Sequence, residues 1–433
     1  MKPLRTSSLL VVGSLAPLLA GCLGTNKVSP TRNQAVERLE AGANRDRPSL
    51  SQEELEGFGF TLYWDSYLRD EVITSLSMEG DQLYAFTESQ RLYQIDTQSG
   101  MVNWVYDVGR PLEFTAGGRP ISEWLYPYRL DRKTRAKVKQ YDEIFFVAGD
   151  TLYALDKKNG SELWTTRLPF TPSSAPQASK THVFIGSWDD RVYGIRKDRP
   201  LVPDWSWRTG GDVLARPAVQ GPNLFVASTD GKLYPFEAAT GRVKRPFRTD
   251  RKLLHDPLIF KSLIYLPAED FNLYVIGATD GLLHYRHGTG APVSARPVAI
   301  ERTIYYPSEG QGVFALLRKG LYKKDRGNPR KIEHEVLWQR PGATRVLCKG
   351  LHDVYLLEPN PDDSSHAAVS RINAKDGTYR GSIELTGIDY WLTNPFSPLA
   401  LDRKDALRGG ILFLGFRNGW IFALKEKATI PGA

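Results

Sequence analysis

Thr151-Leu152-Tyr153-Ala154-Leu155-Asp156-Lys157-Lys158-Asn159-Gly160-Ser161-Glu162-Leu163-Trp164 reads as a strand, a glycine turn and the start of a second strand. Apolar and aromatic residues fill positions 152 to 155, Asp156 ends the run, and Asn159-Gly160 offers a residue at ease with positive φ where the chain must reverse. The stretch from Arg91 to Trp104 repeats the pattern, with Asp96, Gly100 and Trp104 at the offsets of Asp156, Gly160 and Trp164. Looser copies follow at Val192-Tyr193, Leu233-Tyr234, Leu273-Tyr274, Val313-Phe314, Val369-Ser370 and Ile421-Phe422. Their second residues fall at 93, 153, 193, 234, 274, 314, 370 and 422, so the spacings are 60, 40, 41, 40, 40, 56 and 52.

Another short apolar run precedes most anchors, for example Gln82 to Phe86, Ile144 to Ala148, His182 to Gly186, Asn223 to Ala227, Leu263 to Pro267 and Ile411 to Gly415. Each pair makes a hairpin. Units of about 40 to 45 residues built from short strands are the mark of a β-propeller. The expected fold is therefore all-β, an eight-bladed propeller of four-stranded antiparallel blades, with seven blades the fallback if the degenerate copy near 370 is a loop. Little chain follows Leu424, whereas Phe60-Thr61-Leu62-Tyr63-Trp64 is unused before the first hairpin. That N-terminal strand is expected to complete the last blade and remove the open seam.

The 433 residues are 41% hydrophobic, 24% charged and 11% aromatic, with 38 Gly and 28 Pro, which fits a soluble, turn-rich chain and argues against disorder or a multi-span membrane protein. Two cysteines, Cys22 and Cys348, cannot build a disulfide framework or a four-thiolate metal site. Cys348, in Arg345-Val346-Leu347-Cys348, reads as a buried strand thiol.

Lys2 and Arg5, the apolar run Leu9 to Leu19 and small residues before Cys22 form an export signal too short to span a bilayer comfortably. The Leu19-Ala20-Gly21-Cys22 ending resembles a bacterial lipobox, which implies that Cys22 is lipidated and becomes the mature first residue. Leu23 rather than Asp follows it, so the enteric sorting rule implies the outer membrane, on its periplasmic face. The domain reading is a signal at 1–21, a polar tether at 22–58, the propeller at 59–426 and a tail at 427–433. Within the tether, Ser51 and Glu54 fit the capping box of a short helix.

The pattern of Ala154, Asp156, Gly160 and Trp164, with its copy at Gln94, Asp96, Gly100 and Trp104, resembles the tryptophan-docking repeat of quinoprotein-like (PQQ-repeat) propellers, over residues 60 to 425. That superfamily includes pyrroloquinoline-quinone alcohol and glucose dehydrogenases and also catalytically inert, BamB-like lipoproteins of outer-membrane β-barrel assembly. The lipobox, the length and the eightfold repeat resemble the second group. The sequence departs from the pattern at Arg245, Tyr285 and Gly381, where tryptophan is expected; Trp205 or Trp207 serves blade 3 and Trp338 blade 6.

Chemistry has few candidates. The adjacent cysteine pair of the alcohol-oxidising enzymes is absent, although glucose-type enzymes also lack it. Asp189-Asp190 and Asp362-Asp363 fall at expected turns and read as solvated rather than metal-binding. His284 and His287 are three apart and on a strand face opposite ways. No nucleophile elbow, phosphate-binding glycine loop or zinc-protease helix occurs. No catalytic group, metal, cofactor or small-molecule substrate is expected, and the chain is read as a non-enzyme.

Charge is local. The formal balance is +8, and Arg110 to Tyr141 holds eight basic and three acidic residues, among them Arg132, Lys133, Arg135, Lys137 and Lys139. Leu317 to Glu335 holds seven basic and three acidic, among them Lys323, Lys324 and Arg326. These insertions, with a third from Glu384 to Gly409, are expected to project from the propeller rims. Each basic insertion is either a solvated loop or a docking surface for an acidic partner or anionic lipid head groups. Trp124, Tyr126, Tyr128 and Tyr390-Trp391 either anchor a partner or pin the loops to their own blades. Nucleic acid is not expected, because an exported chain does not meet it routinely. The combined expectation is an envelope scaffold that assists outer-membrane protein assembly through rim loops or through blade edges that accept a strand. A periplasmic quinoprotein-type enzyme or ligand binder is the alternative, and a surface adhesion or polysaccharide-binding propeller shares the same features.

Overall fold

The structure is a computed structural model in which residues 47, 48, 50–69, 71–79, 82–108, 126–128, 143–319, 333–350, 352–359, 366–393 and 411–426 are described. The strands form eight separate four-stranded antiparallel sheets. In chain order the blades span 73–107, 126–167, 177–208, 218–248, 258–288, 298–340, 345–386 and 390–426, the last completed by Phe60–Tyr67. The degenerate copy near 370 is thus a full seventh blade.

Closure is made by the chain ends. Phe60–Tyr67 pairs antiparallel with Trp420–Glu426, with Phe60 opposite Glu426, Leu62 opposite Leu424 and Tyr67 opposite Trp420. First strands of neighbouring blades touch from blade 2 through blade 6, from blade 7 to blade 8 and from blade 8 back to blade 1, so the sheets circle one axis.

Burial explains why the central strands read as nearly unbroken apolar runs. Among the described residues, each of eight hydrophobic clusters lies between two adjacent blades: Tyr84, Phe86 and Trp104 of blade 1 meet Phe146 and Tyr153 of blade 2, while Leu83, Ala85 and Tyr93 on the opposite face meet Phe413 and Ile421 of blade 8. Alternate residues of one strand therefore serve two interfaces, and both faces of a blade are covered.

The third and fourth strands share a β-bulge at the tryptophan offset. The register sets Trp104 opposite Gln94, Trp164 opposite Ala154, Trp205 opposite Gly194, Tyr285 opposite Val275, Trp338 opposite Ala315, Gly381 opposite Arg371 and Trp64 opposite Ala423. Blade 4 departs from this, because its fourth strand is only Phe247–Arg248. Pro246 precedes it and has no N–H to give to a ladder.

Three expectations need correction. Tyr126–Tyr128 is not loop but the first strand of blade 2, with Tyr126 opposite Phe145 and Tyr128 opposite Glu143. The third insertion likewise contains the end of Tyr379–Thr386 and the strand Tyr390–Thr393. The end of the expected tether is packed structure: helix α1, Gln52–Phe58, is capped by Ser51, whose Oγ accepts from the Glu54 amide, and ends at Gly59 in the left-handed region. Its Leu55 is buried in the cluster between blades 7 and 8.

Candidate functional site

Antiparallel order sorts every connection onto one of two faces. Turns joining first to second and third to fourth strands open on one face. Turns joining second to third strands, and the connectors between blades, open on the other.

The first face carries the glycine turns. In blade 2 the Gly160 amide donates to Asp156 O at 2.7 Å and Asp156 Oδ1 accepts from the Lys158 amide. In blade 1, Asp96 Oδ1 accepts from the amides of Gln98 and Ser99, and the Gly100 amide donates to Asp96 O. These turns seat a tryptophan from the preceding blade. Trp104 lies on Gly160, where an added Cβ would stand 2.5 Å from the ring, and its Nε1 donates to Lys157 O at 3.1 Å. Trp64 on Gly100, Trp205 on Gly241 and Trp338 on Gly377 repeat the contact, donating to Thr97 O, Ala238 O and Ala374 O. Trp205 rather than Trp207 therefore serves blade 3. Trp164 has no such seat, because blade 3 carries Lys197-Asp198-Arg199 at its turn, and it packs beside Phe145 instead.

The strand ends that flank both basic clusters in sequence lie on this same face. Arg132, Lys133, Arg135, Lys137 and Lys139 lie between Tyr128 and Glu143, which end the first and second strands of blade 2. Lys323, Lys324 and Arg326 lie between Lys319 and Glu333, which end the third and fourth strands of blade 6. All eight, with Trp124, Asp362-Asp363 and the lipidation candidate Cys22, lie outside the described residues.

The opposite face is built from a connector that repeats every forty residues at Thr209, Thr249 and Thr289. The Thr209 hydroxyl lies 2.9 Å from Asp190 O and 2.6 Å from Gly211 O, so one proton serves two carbonyls; Thr249 and Thr289 do the same. Val213, Leu253 and Val293, four residues on, are fully buried. Arg216 donates its amide to Asp256 Oδ1 at 2.8 Å and pairs through Nη2 with Oδ2 at 3.2 Å, tying two connectors together.

Acidic turns line this face. Tyr234 donates to Asp230 at 2.6 Å and Tyr274 to Asp270 at 2.7 Å, and burial followed by Asp270 pushes the Tyr274 phenol up to about 12. Asp189 accepts from Tyr193 and Asp190 from Arg208, so that pair is engaged by the neighbouring strands of its own blade. Burial first and Asp190 second raise Asp212, with Lys252 opposing; burial and then Glu309 raise Glu269, with Arg251 and Lys252 opposing. Among the described residues, no three His, Cys, Asp or Glu side chains converge as metal ligands. His284 and His287 part as expected, to Asp280 of the same blade and to Tyr306 of blade 6.

One charged stretch escaped the sequence reading. Gly241 to Lys252 holds Arg242, Lys244, Arg245, Arg248, Arg251 and Lys252 against a single acid, Asp250. Its signal was present in the charge count but sat inside a regular repeat, where only the insertions stood out.

Fold and turn chemistry together define a closed eight-bladed propeller. The chain is similar to the PQQ-repeat, BamB-like propellers: the family model described as outer membrane protein assembly factor BamB matches residues 124–206 and 199–320. Among solved structures, BamB from Moraxella catarrhalis aligns at a TM-score of 0.60 and 14% identity, covering 85% of this chain and 98% of that one. Quinohemoprotein alcohol dehydrogenase ADHIIG from Pseudomonas putida HK5 aligns at 0.55 and 12%, covering 88% of this chain and 78% of that one. The computationally designed Ika8 protein aligns at 0.54 and 13%, covering 82% and 97%. At these identities the likeness is one of fold. No curated protein matches the chain. Among the described residues, no helix is long and apolar enough to cross a membrane.

Proposed function

We propose that the protein is a non-enzymatic, lipid-anchored scaffold of the cell envelope, held at the periplasmic face of the outer membrane through Cys22, that assists β-barrel protein assembly through protein contacts. The observation that carries this reading is the BamB family model, which matches from blade 2 through the third strand of blade 6. The near-complete coverage of Moraxella catarrhalis BamB supports the same choice. The basic clusters Arg132 to Lys139 and Lys323 to Arg326 are proposed as docking elements for an acidic partner, raising its rate of encounter at low salt. The strand ends that flank the two clusters in sequence lie on one face, which supports engagement of both by one folded domain of a partner.

A quinone-dependent dehydrogenase is the competing reading, favoured by the fold likeness to quinohemoprotein alcohol dehydrogenases. Affinity purification from detergent-solubilised membranes separates the two. Recovery of the barrel-assembly core with the tagged chain is expected. Absence of that core, together with alcohol-dependent dye reduction after addition of pyrroloquinoline quinone and calcium, would replace the scaffold by the enzyme.

A further inference from the structure

Five turns between third and fourth strands have the same backbone. Gly100, Gly160, Gly241, Gly281 and Gly377 have φ of 71, 68, 68, 67 and 75°. Each amide donates four residues back, to Asp96 O, Asp156 O, Glu237 O, Gly277 O and Asn373 O, at 2.7 to 2.9 Å. In four of them an indole lies on the glycine and donates Nε1 to the carbonyl three residues before it. At Gly281 the seat is built and open: no atom lies within 4 Å of where a Cβ would be, and the residue is exposed where Gly100, Gly160 and Gly241 are buried.

The reason lies in blade 4. Its tryptophan position is the exposed Arg245, which has no indole to offer, and Pro246 follows it ahead of the short strand Phe247–Arg248. Leu282 and Leu283, which follow the glycine, are 63% and 48% exposed, and blade 4, whose tryptophan position corresponds to this seat, exposes Arg245 there and Arg242 three residues before it.

We propose that the open seat at Gly281 binds a tryptophan side chain of a partner protein, presented on an acidic segment. The indole would lie on the Gly281 turn beside Leu282 and Leu283 and donate to Ala278 O, as its four internal counterparts do at theirs. Acidic neighbours in the segment would meet Arg242 and Arg245. Aromatic anchors flanked by charge complementarity are the usual composition of a protein hot spot. The inference rests on the scaffold reading, in that a protein segment is the ligand, but not on the partner being the assembly core.

The test uses the detergent-solubilised full chain and two synthetic acidic peptides, one with a single central tryptophan and one with alanine in its place, titrated calorimetrically at low and high salt. Saturable binding of the tryptophan peptide is expected, with the alanine peptide about tenfold weaker. Two variants then probe the seat. Gly281→Ala puts a methyl group where the indole face would lie, and Arg245→Trp offers an internal indole; each is expected to weaken the tryptophan peptide about tenfold while circular dichroism stays native. Leu282→Ser, at an exposed position, serves if either variant misfolds. Arg242→Glu should weaken binding and flatten its salt dependence. Equal binding of the two peptides, no binding of the tryptophan peptide, or wild-type binding by folded Gly281→Ala overturns the proposal. Loss of the assembly core in purification, with peptide binding intact, overturns only the reading of the partner.

Discussion

Trp64, on the strand that closes the ring, lies on Gly100 of blade 1 and donates Nε1 to Thr97 O at 2.9 Å. The two ends of the polypeptide are thus joined twice, once by the ladder between Phe60–Tyr67 and Trp420–Glu426 and once by an indole that crosses to the next blade. A propeller without this second link would keep blade 8 complete but leave its interface with blade 1 underfilled.

Removal of the indole should therefore weaken closure. Trp64→Ala is expected to cost about 3 to 5 kcal/mol, the range for deleting a large buried aromatic, because the glycine opposite has no side chain to collapse into the space. Trp104→Ala should behave alike, since Trp104 is equally seated on Gly160. Trp164→Ala, at a half-buried indole with no glycine seat, should cost less. Urea denaturation of the three variants checks the order, and equal losses would remove the special role given to the seats.

Much of this fold was legible because blade burial and turn chemistry both leave local marks. Tyr153, Asp156 and Gly160 lie within eight residues and report a strand, its end and its reversal. The partner of Gly160 was not legible: the motif sets Trp164 in the same copy, yet the contact is made by Trp104 of the copy before, and sequence spacing carries no sign of which neighbour a side chain crosses to. First strands were hidden for another reason. Gln177–Ala178, Ala218–Gln220 and Tyr126–Tyr128 are two or three residues long, too short to display a period of two, so Tyr126 and Tyr128 read as insertion. Helix α1 showed its cap but not its docking, which depends on Leu55 finding a cluster made by residues some three hundred positions away.

Acid should destabilise the blade 5 to blade 6 interface. His334 accepts or donates at Tyr265 Oη, 3.1 Å away, and stacks on Tyr285. Burial first, then Arg318 and His284, lowers its pKa from 6.5 to about 4, and burial lowers His287 as well. A base kept neutral in the fold but free to protonate when unfolded supplies stability that is complete above the unfolded pKa and is lost as pH falls toward the folded one. The urea midpoint is thus expected to fall between pH 6.5 and about 4. His334→Gln should flatten that decline in part, leaving the share due to His287; an unchanged pH profile would contradict the assignment.

The thiol of Cys348 should be silent in the native state. It is 1% exposed, on the strand Arg345–Lys349, and burial followed by Glu426 pushes its pKa well above the ordinary thiol value. Reaction with iodoacetamide needs the thiolate and access to it, and both are withheld. In the Cys22→Ser variant, where Cys348 is the remaining thiol, alkylation at pH 8 is expected only after denaturation. Rapid labelling of the folded chain would show that blades 7 and 8 open readily.

Arg371 joins the N-terminal segment to the ring. Its Nη1 donates to Phe58 O at 3.1 Å, at the end of α1, while its Nε stands 3.0 Å from the fully buried carboxylate of Asp353, which Arg380 also approaches at 3.3 Å. Under the proposal that Cys22 is lipidated, a pull on that anchor would reach the propeller through α1 and then through Phe60–Tyr67, so this clamp would bear on tethering as well as on stability. Arg371→Ala leaves a buried carboxylate with only one of its two cations. Breaking a buried pair in this way costs about 3 to 5 kcal/mol, and the share retained by Arg380 places the expected loss at the lower end. Limited proteolysis separates the local effect from the global one: cleavage near residues 48 to 58 should accelerate before the blades are cut. Simultaneous loss of helix and blades would mean that α1 and the ring unfold as one unit, with Arg371 serving the core alone.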